Sequence, residues 1–294
     1  MKTVGIWGHG VVGANTAMMF ELLDKGLTNV IKYDKFKTGN WVTTKELINR
    51  SDFIFVCVPT PMQDGGAIDL NYVQAVLSEI DDELSCYQYN SKIIVIRSTV
   101  LPGSTDKFSK AFPLLNIISM PEFLVEREAW RSIVGACRIV IGVEDDETYE
   151  EIESLMRIVY SADRVKIIRM KRREAEMYKY ACNAMLAMQV IAANEIYAIC
   201  RTLGIDYNVI QSNFQFDKRI GTHTEVPGPD GDFGFGGKCF PKDTNALIYL
   251  SQLAGYNPLF LASALDMNER VRKERDWLDI PGAVSSCSFD DGSM

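Results

Sequence analysis

The first half of the chain alternates short apolar runs with longer amphipathic stretches. The runs TVGIW (3–7), NVIKY (29–33), DFIFVCV (52–58), KIIVIRS (92–98), LLNIIS (114–119) and CRIVIGV (137–143) are rich in Val and Ile and end near Gly, Pro, Asp or Ser. Each is too short for an independent helix, and a continuous apolar run of this length predicts a strand buried on both faces of a parallel sheet. Residues 11–25, 71–84 and 103–111 lie between several of these runs and carry helical spacing. They supply the crossovers of βαβ units, so residues 1–170 are expected to form a doubly wound α/β sheet.

The pattern changes after about residue 170. From Arg172 to Leu203 there is neither glycine nor proline, and apolar residues recur at helical spacing through MYKYACNAMLAMQVIAANEIYAICRTL. Thirty residues of helix span about 45 Å, longer than a small domain needs for itself, and such helices often pack against a partner chain. A second helical region is expected at 206–216, then a loop rich in Gly and Pro up to residue 240. Further helical patterns run from about 242 to 254 and from 259 to 278. Residues 171–280 therefore read as an all-α domain with a long central helix. The stretch 281–294 ends in the polar segment VSSCSFDDGSM and reads as a flexible tail.

Composition narrows the partners. The 294 residues are 47% apolar and 24% charged, as in an ordinary globular protein, and carry a net charge of −8. That charge argues against nucleic acid as the main partner. The seven cysteines are scattered without a C-x-x-C pair, which favours a reducing cytoplasm. The two histidines, His9 and His223, lie far apart, so no metal-ligand spacing is visible. No run approaches the roughly 20 apolar residues of a membrane span, and MKTVGIWGHG reads as a strand and turn rather than a signal peptide.

Gly8, Gly10 and Gly13 form G-x-G-x-x-G directly after the first strand, where a helix opens. This spacing permits a tight turn, close approach of a pyrophosphate and close helix-to-strand packing, with the amides of Val11, Val12 and Gly13 facing the phosphates. The second strand ends in Asp34, 21 residues beyond Gly13, where an acid can bind both ribose hydroxyls. A solvated strand end is the plainer reading of Asp34 alone. In this Rossmann-like context the acid favours NAD over NADP, a preference that Lys35 and Lys37 weaken. His9 is assigned nothing beyond its backbone. Thr60 and Pro61, in CVPTP, lie where the third strand would meet the cofactor crevice, although a proline-stiffened turn explains them as well.

Three segments carry polar residues that packing does not ask for. RSTVLPG brings Ser98 and Thr99 to a strand end, and SMPEFLVE offers Glu122 after the next strand. EAEMYKYACNAML stacks Lys179 and Asn183 four apart on one helix face, where a lone lysine is more usually a surface charge. In GFGGKCFPKD (234–243), Pro241 fits the first turn of a helix, which puts Cys239 at its amino end. There the helix dipole favours thiolate over thiol. Asp243 can simply complement that dipole. The GFGG segment ahead of Cys239 removes side-chain bulk and leaves room for a substrate, but the same segment is also compatible with a glycine-rich turn holding one small residue.

GFGGKCFPKD, together with GHGVVG, VPTP, STVLPG, PEF, AEMYKYACNAML, RIG (219–221) and MNERVR (267–272) in this order, resembles the UDP-glucose/GDP-mannose dehydrogenase family over nearly the whole chain. Lys242 and Asp243 after Cys-Phe-Pro look like the UDP-glucose and GDP-mannose branch rather than the N-acetylhexosamine branch. The resemblance implies oxidation of a sugar C6 alcohol to a carboxylate with reduction of two NAD. By it, Cys239 forms a thiohemiacetal and then a thioester. Lys179 and Asn183 stabilise an alkoxide. Asp243 and Thr99 place a water, and Glu122 is the base for hydrolysis. Phe123, Leu124, Phe235, Gly236 and Gly237 line the sugar nucleotide, and Arg219 reaches it from the neighbouring subunit of a homodimer built on the long helix.

Members of the family generally continue into a second α/β domain that closes over the nucleotide, and the residues after MNERVR are too few to make one. The expectation is a compact nucleotide-sugar dehydrogenase without that domain. The alternatives are an NAD-binding, catalytically weak relative that needs a partner, use of GDP-mannose instead of UDP-glucose, and a β-hydroxyacid type of dehydrogenase that makes no use of Cys239. Asp230 and Asp232, in the acidic loop before the glycines, are expected to face solvent.

Overall fold

The computed structural model describes residues 1–24, 26–37, 39, 41–85, 92–125 and 128–285. The chain forms two compact units. The first comprises Met1–Thr60 and Leu70–Lys179, and the second comprises Pro61–Asp69 and the residues from Tyr180 onward.

The first unit is a seven-stranded sheet in the order β2-β1-β3-β4-β5-β6-β7. Its strands are β1 (Lys2–Trp7), β2 (Thr28–Tyr33), β3 (Phe53–Val56), β4 (Ile93–Ile96), β5 (Asn116–Ser119), β6 (Arg138–Gly142) and β7 (Lys166–Met170). Every neighbouring pair is parallel except β5 and β6, which meet antiparallel at Ser119 and Gly142. All four residues of β3 and of β4 are buried, as continuous apolar runs require.

Alternation along the strands builds two cores. Val4, Ile6, Phe53, Phe55, Val95 and Ile118 face α1 (Val11–Leu23) and α6 (Asp146–Val159). Trp7, Ile54, Val56, Ile94, Ile96 and Ile117 face α2 (Thr44–Arg50), α3 (Asn71–Leu84) and α4 (Ser104–Ala111). Each buried Ile, Leu or Phe contributes about 1.5–3 kcal/mol relative to exposure. Strand order reverses at β1, which opens the crevice at the carboxyl ends of β1 and β3 where such sheets take ligands.

Two features of this unit differ from the sequence reading. The strand β7 was not expected: only Ile167 of KIIRM is deeply buried, so this edge strand lacks the apolar run that marked the others. The sheet is also mixed, since the described residues between β5 and β6 carry the short α5 (Ala129–Val134) and no full crossover helix.

The helix α7 (Arg172–Thr202) runs unbroken for 31 residues. Its first turns carry Glu176, buried in the first unit, whose carboxylate accepts from Gly103 N (2.5 Å) and Thr105 N (2.9 Å) at the start of α4. Burial pushes this carboxyl up from its ordinary pKa.

The second unit holds α7 from Tyr180 on, α8 (Tyr207–Gln211), α9 (Phe240–Leu253) and α10 (Leu259–Val271). Ala187 and Ile191 pack on Phe235 and Ala264, and Ala193 and Cys200 pack on Tyr207 and Val226. α10 stops at Val271, short of the expected 278, and a single 3-10 turn follows at Asp276–Leu278. The cause is Arg272, whose buried side chain turns back to hold the acidic loop. Its guanidinium pairs with Asp230 (2.9 Å) and Asp276 (2.9 Å) and donates to Phe233 O. Asp232, expected to face solvent, accepts from the amides of Phe233, Lys273 and Glu274 instead. Asp230 keeps an exposed edge while it is paired. The tail expected at 281–294 falls largely on residues 286–294, which lie outside the described residues.

Candidate functional site

The glycine turn owes its shape to close approaches. Gly8 has φ +91°, and a Cβ there would fall 2.7 Å from Cys57 O; a Cβ on Gly13 would fall 1.9 Å from Gly8 O. At Gly10 a Cβ would meet open space. No side chain caps α1 at Gly10 and no acid sits in its first turn, so its leading amides are left for an anion. Asp34 is built into this turn: Oδ2 accepts from His9 N (2.6 Å), and Oδ1 accepts from Phe36 N (2.9 Å) and Lys37 N (3.1 Å). Three of the roughly four acceptor positions of a carboxylate are thereby used, leaving one for a ribose hydroxyl. Lys37 Nζ donates to His9 O at 2.6 Å. These residues fit a dinucleotide, with Gly8 to Gly13 as the cradle and Asp34 as the ribose acceptor.

Burial works to raise the Asp34 pKa, but the three amides and Lys37 outweigh it and hold the carboxyl below its ordinary value. A depressed folded value means that the stability from Asp34 is present above about pH 4 and is lost as pH falls through the lower folded value. Acid denaturation below about pH 4 is expected to cost the wild type more than an Asp34→Asn variant, measured by circular dichroism. For the cradle, Gly13→Ala must push the Gly8 carbonyl aside. It is expected to weaken NAD binding by at least about tenfold in a fluorescence titration, with a stability loss of about 1–3 kcal/mol.

In the first unit, Lys179 is buried rather than snorkelling. Its ammonium stands 5.4 Å from the centroid of the Phe123 ring, which also carries the Arg138 guanidinium at 4.8 Å. The helix residue Lys179 and the PEF segment are thus brought together. Glu122 accepts from Arg97 on one oxygen and from Phe123 N (2.8 Å) on the other, beside a cavity of about 230 Å³ that Arg97, Glu122, Phe123, Arg138 and Tyr160 help to line. Thr99 and Leu124 are half-buried. Ser98 donates to Val58 O (2.7 Å), tying the STV segment to the loop that leads to buried Thr60. Pro61 belongs to the second unit.

In the second unit, Cys239 caps α9 with Pro241 in the first turn, as the sequence implied. One turn on, Asp243 is buried and held from two sides: Lys242 Nζ reaches Oδ1 at 2.6 Å and Asn183 Nδ2 reaches Oδ2 at 2.5 Å. Asn183 thus meets an acid 60 residues away in the chain. The Lys242–Asp243 pair gives no signal in sequence, because adjacent residues on a helix do not normally face one another. Phe235 is a core side chain whose amide and carbonyl are both bonded to Asn268, at 2.6 and 3.0 Å. Gly236 packs against Arg272, and Gly237 (φ +72°) donates to Asp276 and borders open space. Arg219 projects from the surface with Asp217 as its partner (2.5 Å). Asn268 and Arg272 lie in the MNERVR motif but carry no assigned role in the sequence. Their signal was a pair of polar residues one turn apart at the end of an apolar helix.

A doubly wound sheet with a glycine turn, an acid at the end of β2 and an appended helical unit defines a dinucleotide-binding chain of the Rossmann type. Residues 14–161 match the NAD binding domain, and residues 173–270 the central domain, of the UDP-glucose/GDP-mannose dehydrogenase family. The chain belongs to that family. It is 35% identical to the UDP-glucose 6-dehydrogenase TuaD of Bacillus subtilis over 232 residues, 76% of this chain and 48% of that protein. It is 33% identical to the UDP-glucose 6-dehydrogenase AglM of Haloferax volcanii over 230 residues, 74% of this chain and 52% of that one. The chain therefore spans about half the length of the curated relatives it matches. Among solved structures, a UDP-glucose dehydrogenase from Pyrobaculum islandicum superposes with a TM-score of 0.78 at 29% identity, covering 92% of this chain and 68% of that one.

Proposed function

We propose that this chain carries the NAD-dependent oxidation of the C6 alcohol of a nucleotide sugar, UDP-glucose first, to the uronate. The observation that carries this reading is Cys239 at the start of α9 with a buried, doubly held Asp243 one turn behind it, in a chain that also has a complete dinucleotide turn. Residues 1–170 are assigned to NAD, residues 171–280 to catalysis and dimerisation. Bound NAD supplies the hydride acceptor in each of two oxidations.

The chain's own residues do the rest. Gly8, Gly10, Val11, Val12 and Gly13 receive the pyrophosphate, Asp34 the ribose, and Thr60, Pro61 and Thr99 border the cofactor. Lys179, desolvated against Phe123, stabilises the C6 alkoxide, while Asn183 orients Asp243 and helps to hold the sugar O6. Asp243 and Thr99 place a water there. The Cys239 sulfur adds to the C6 aldehyde, and the second oxidation leaves a thioester on that sulfur. Water then adds to the thioester carbonyl, the carbon–sulfur bond breaks, Cys239 leaves as thiolate, and Glu122 accepts the water's proton. Phe123, Leu124, Gly236 and Gly237 border the substrate, with Phe235 buttressing the loop. Exposed apolar side chains along α7, among them Met185, Ile196 and Ile199, support a homodimer through that helix, and exposed Arg219 is assigned to a partner's sugar. The described cysteines stand outside any disulfide, in keeping with a cytoplasmic protein.

The experiment is to incubate the protein with NAD and UDP-glucose, and separately with GDP-mannose, and to identify the product by mass spectrometry. UDP-glucuronate is the expected product. Formation of a uronate from GDP-mannose alone would move the substrate, and formation of neither uronate would overturn the reading.

A further inference from the structure

Arg97 follows β4 directly and is almost fully buried, its side chain only 6% exposed. A guanidinium taken out of water is costly unless its donors are matched. Here Nε donates to Thr16 Oγ1 at 3.0 Å, Nη1 to Met120 O at 3.3 Å, and Nη2 to the Glu122 carboxylate. Thr16 is itself fully buried on α1, and its hydroxyl donates to Val12 O at 2.8 Å, in the first turn of that helix. One continuous chain of hydrogen bonds thus runs from Val12 through Thr16 and Arg97 to Glu122, all within the first unit. It joins the helix start that faces the pyrophosphate to the carboxylate that borders the 230 Å³ cavity.

We propose that Arg97 is a positioning residue for the hydrolytic step: it fixes the Glu122 carboxylate in place, and through Thr16 it couples that carboxylate to the dinucleotide helix. This rests on the reading of Glu122 as the base. A carboxylate anchored to a guanidinium and to the Phe123 amide has one set orientation, so it meets the hydrolytic water without searching rotamers. Because Arg97 touches neither the sugar carbon nor the sulfur in this scheme, its loss leaves both oxidations intact and slows the release of the thioester.

The test uses the full chain with NAD and UDP-glucose in Arg97→Ala, Arg97→Lys, Thr16→Val and Glu122→Gln variants. Rapid-mixing absorbance gives the initial NADH burst and the steady rate, mass spectrometry of quenched enzyme reads acyl adduct on Cys239, and tryptophan fluorescence gives NAD affinity. In Arg97→Ala and Glu122→Gln the steady rate is expected to fall about 10–100-fold while the burst rate stays within about threefold and the adduct accumulates. Added guanidinium ion restores turnover to Arg97→Ala and not to Glu122→Gln. Thr16→Val, which keeps the volume at that site, and Arg97→Ala weaken NAD binding about threefold or more, whereas Glu122→Gln does not.

Burst and steady rates that fall together in Arg97→Ala, with no adduct and no rescue, would overturn the proposal. If Arg97→Ala does not fold, Arg97→Lys and Thr16→Val decide: unchanged burst-to-steady ratio and NAD affinity in both overturn it. Absence of adduct in Glu122→Gln would instead remove Glu122 as the base, and with it the foundation of the proposal.

Discussion

Cys239→Ser is expected to lower uronate formation by at least about 10³-fold, with NAD affinity unchanged in the same preparation. The sulfur is the one atom in the scheme that forms and breaks a bond to the substrate carbon. A serine hydroxyl in its place is a far weaker nucleophile at neutral pH, and no neighbouring histidine is assigned to activate it. The first oxidation needs no covalent bond to the enzyme, so the variant is expected to release or retain aldehyde in place of uronate. Product analysis by mass spectrometry separates these outcomes from general loss of activity. Uronate formation at the wild-type rate would remove Cys239 from the mechanism and favour a single oxidation of the β-hydroxyacid type.

The second large effect is on stability. Lys242 and Asp243 form a buried ion pair at 2.6 Å, with side chains 7% and 1% exposed. Lys242→Met preserves side-chain length but leaves the Asp243 carboxylate buried against the Asn183 amide donor at 2.5 Å. Removing one partner of such a pair typically costs about 3–5 kcal/mol, chiefly through the uncompensated charge. Urea denaturation is expected to show a loss of this size. The double variant Lys242→Met/Asp243→Leu is expected to recover most of it, because replacing both charges by apolar groups removes the desolvation cost. A single variant within about 1 kcal/mol of wild type would mean that the pair is hydrated and that Asp243 is not the rigidly held acid described above.

The parts of this protein that sequence made legible are those in which local pattern and tertiary role coincide. The six apolar runs became strands because a strand covered on both faces must be continuously apolar. The glycine turn was readable because each glycine answers a steric demand, most clearly Gly13 against the Gly8 carbonyl. The long helix was marked by the absence of any breaker from Arg172 to Leu203. The edge strand β7 carries no such apolar run because an edge needs only partial burial, and α10 stops short of its helical pattern because its last turn is replaced by a salt-bridged loop anchored on Arg272.

Polar networks were the least legible. Arg97, Asn268 and Arg272 owe their roles to partners at sequence distances of 81, 33 and 42 residues, which no window of sequence displays. The candidate residues Lys179, Asn183, Cys239 and Asp243 stand out in the sequence, but the bond between Asn183 and Asp243 does not. Picking them out rested on the resemblance of their motifs to a known family as much as on spacing, since a lone lysine or cysteine on a helix has a plainer reading in most proteins.

The central claim is a double oxidation at one carbon through Cys239. It is tested most directly by the stoichiometry of NADH formed per UDP-glucose consumed, followed by absorbance with the sugar limiting and NAD in excess. Two NADH per sugar are expected, with uronate as the sole product. One NADH per sugar, with an aldehyde or ketone recovered, would contradict it.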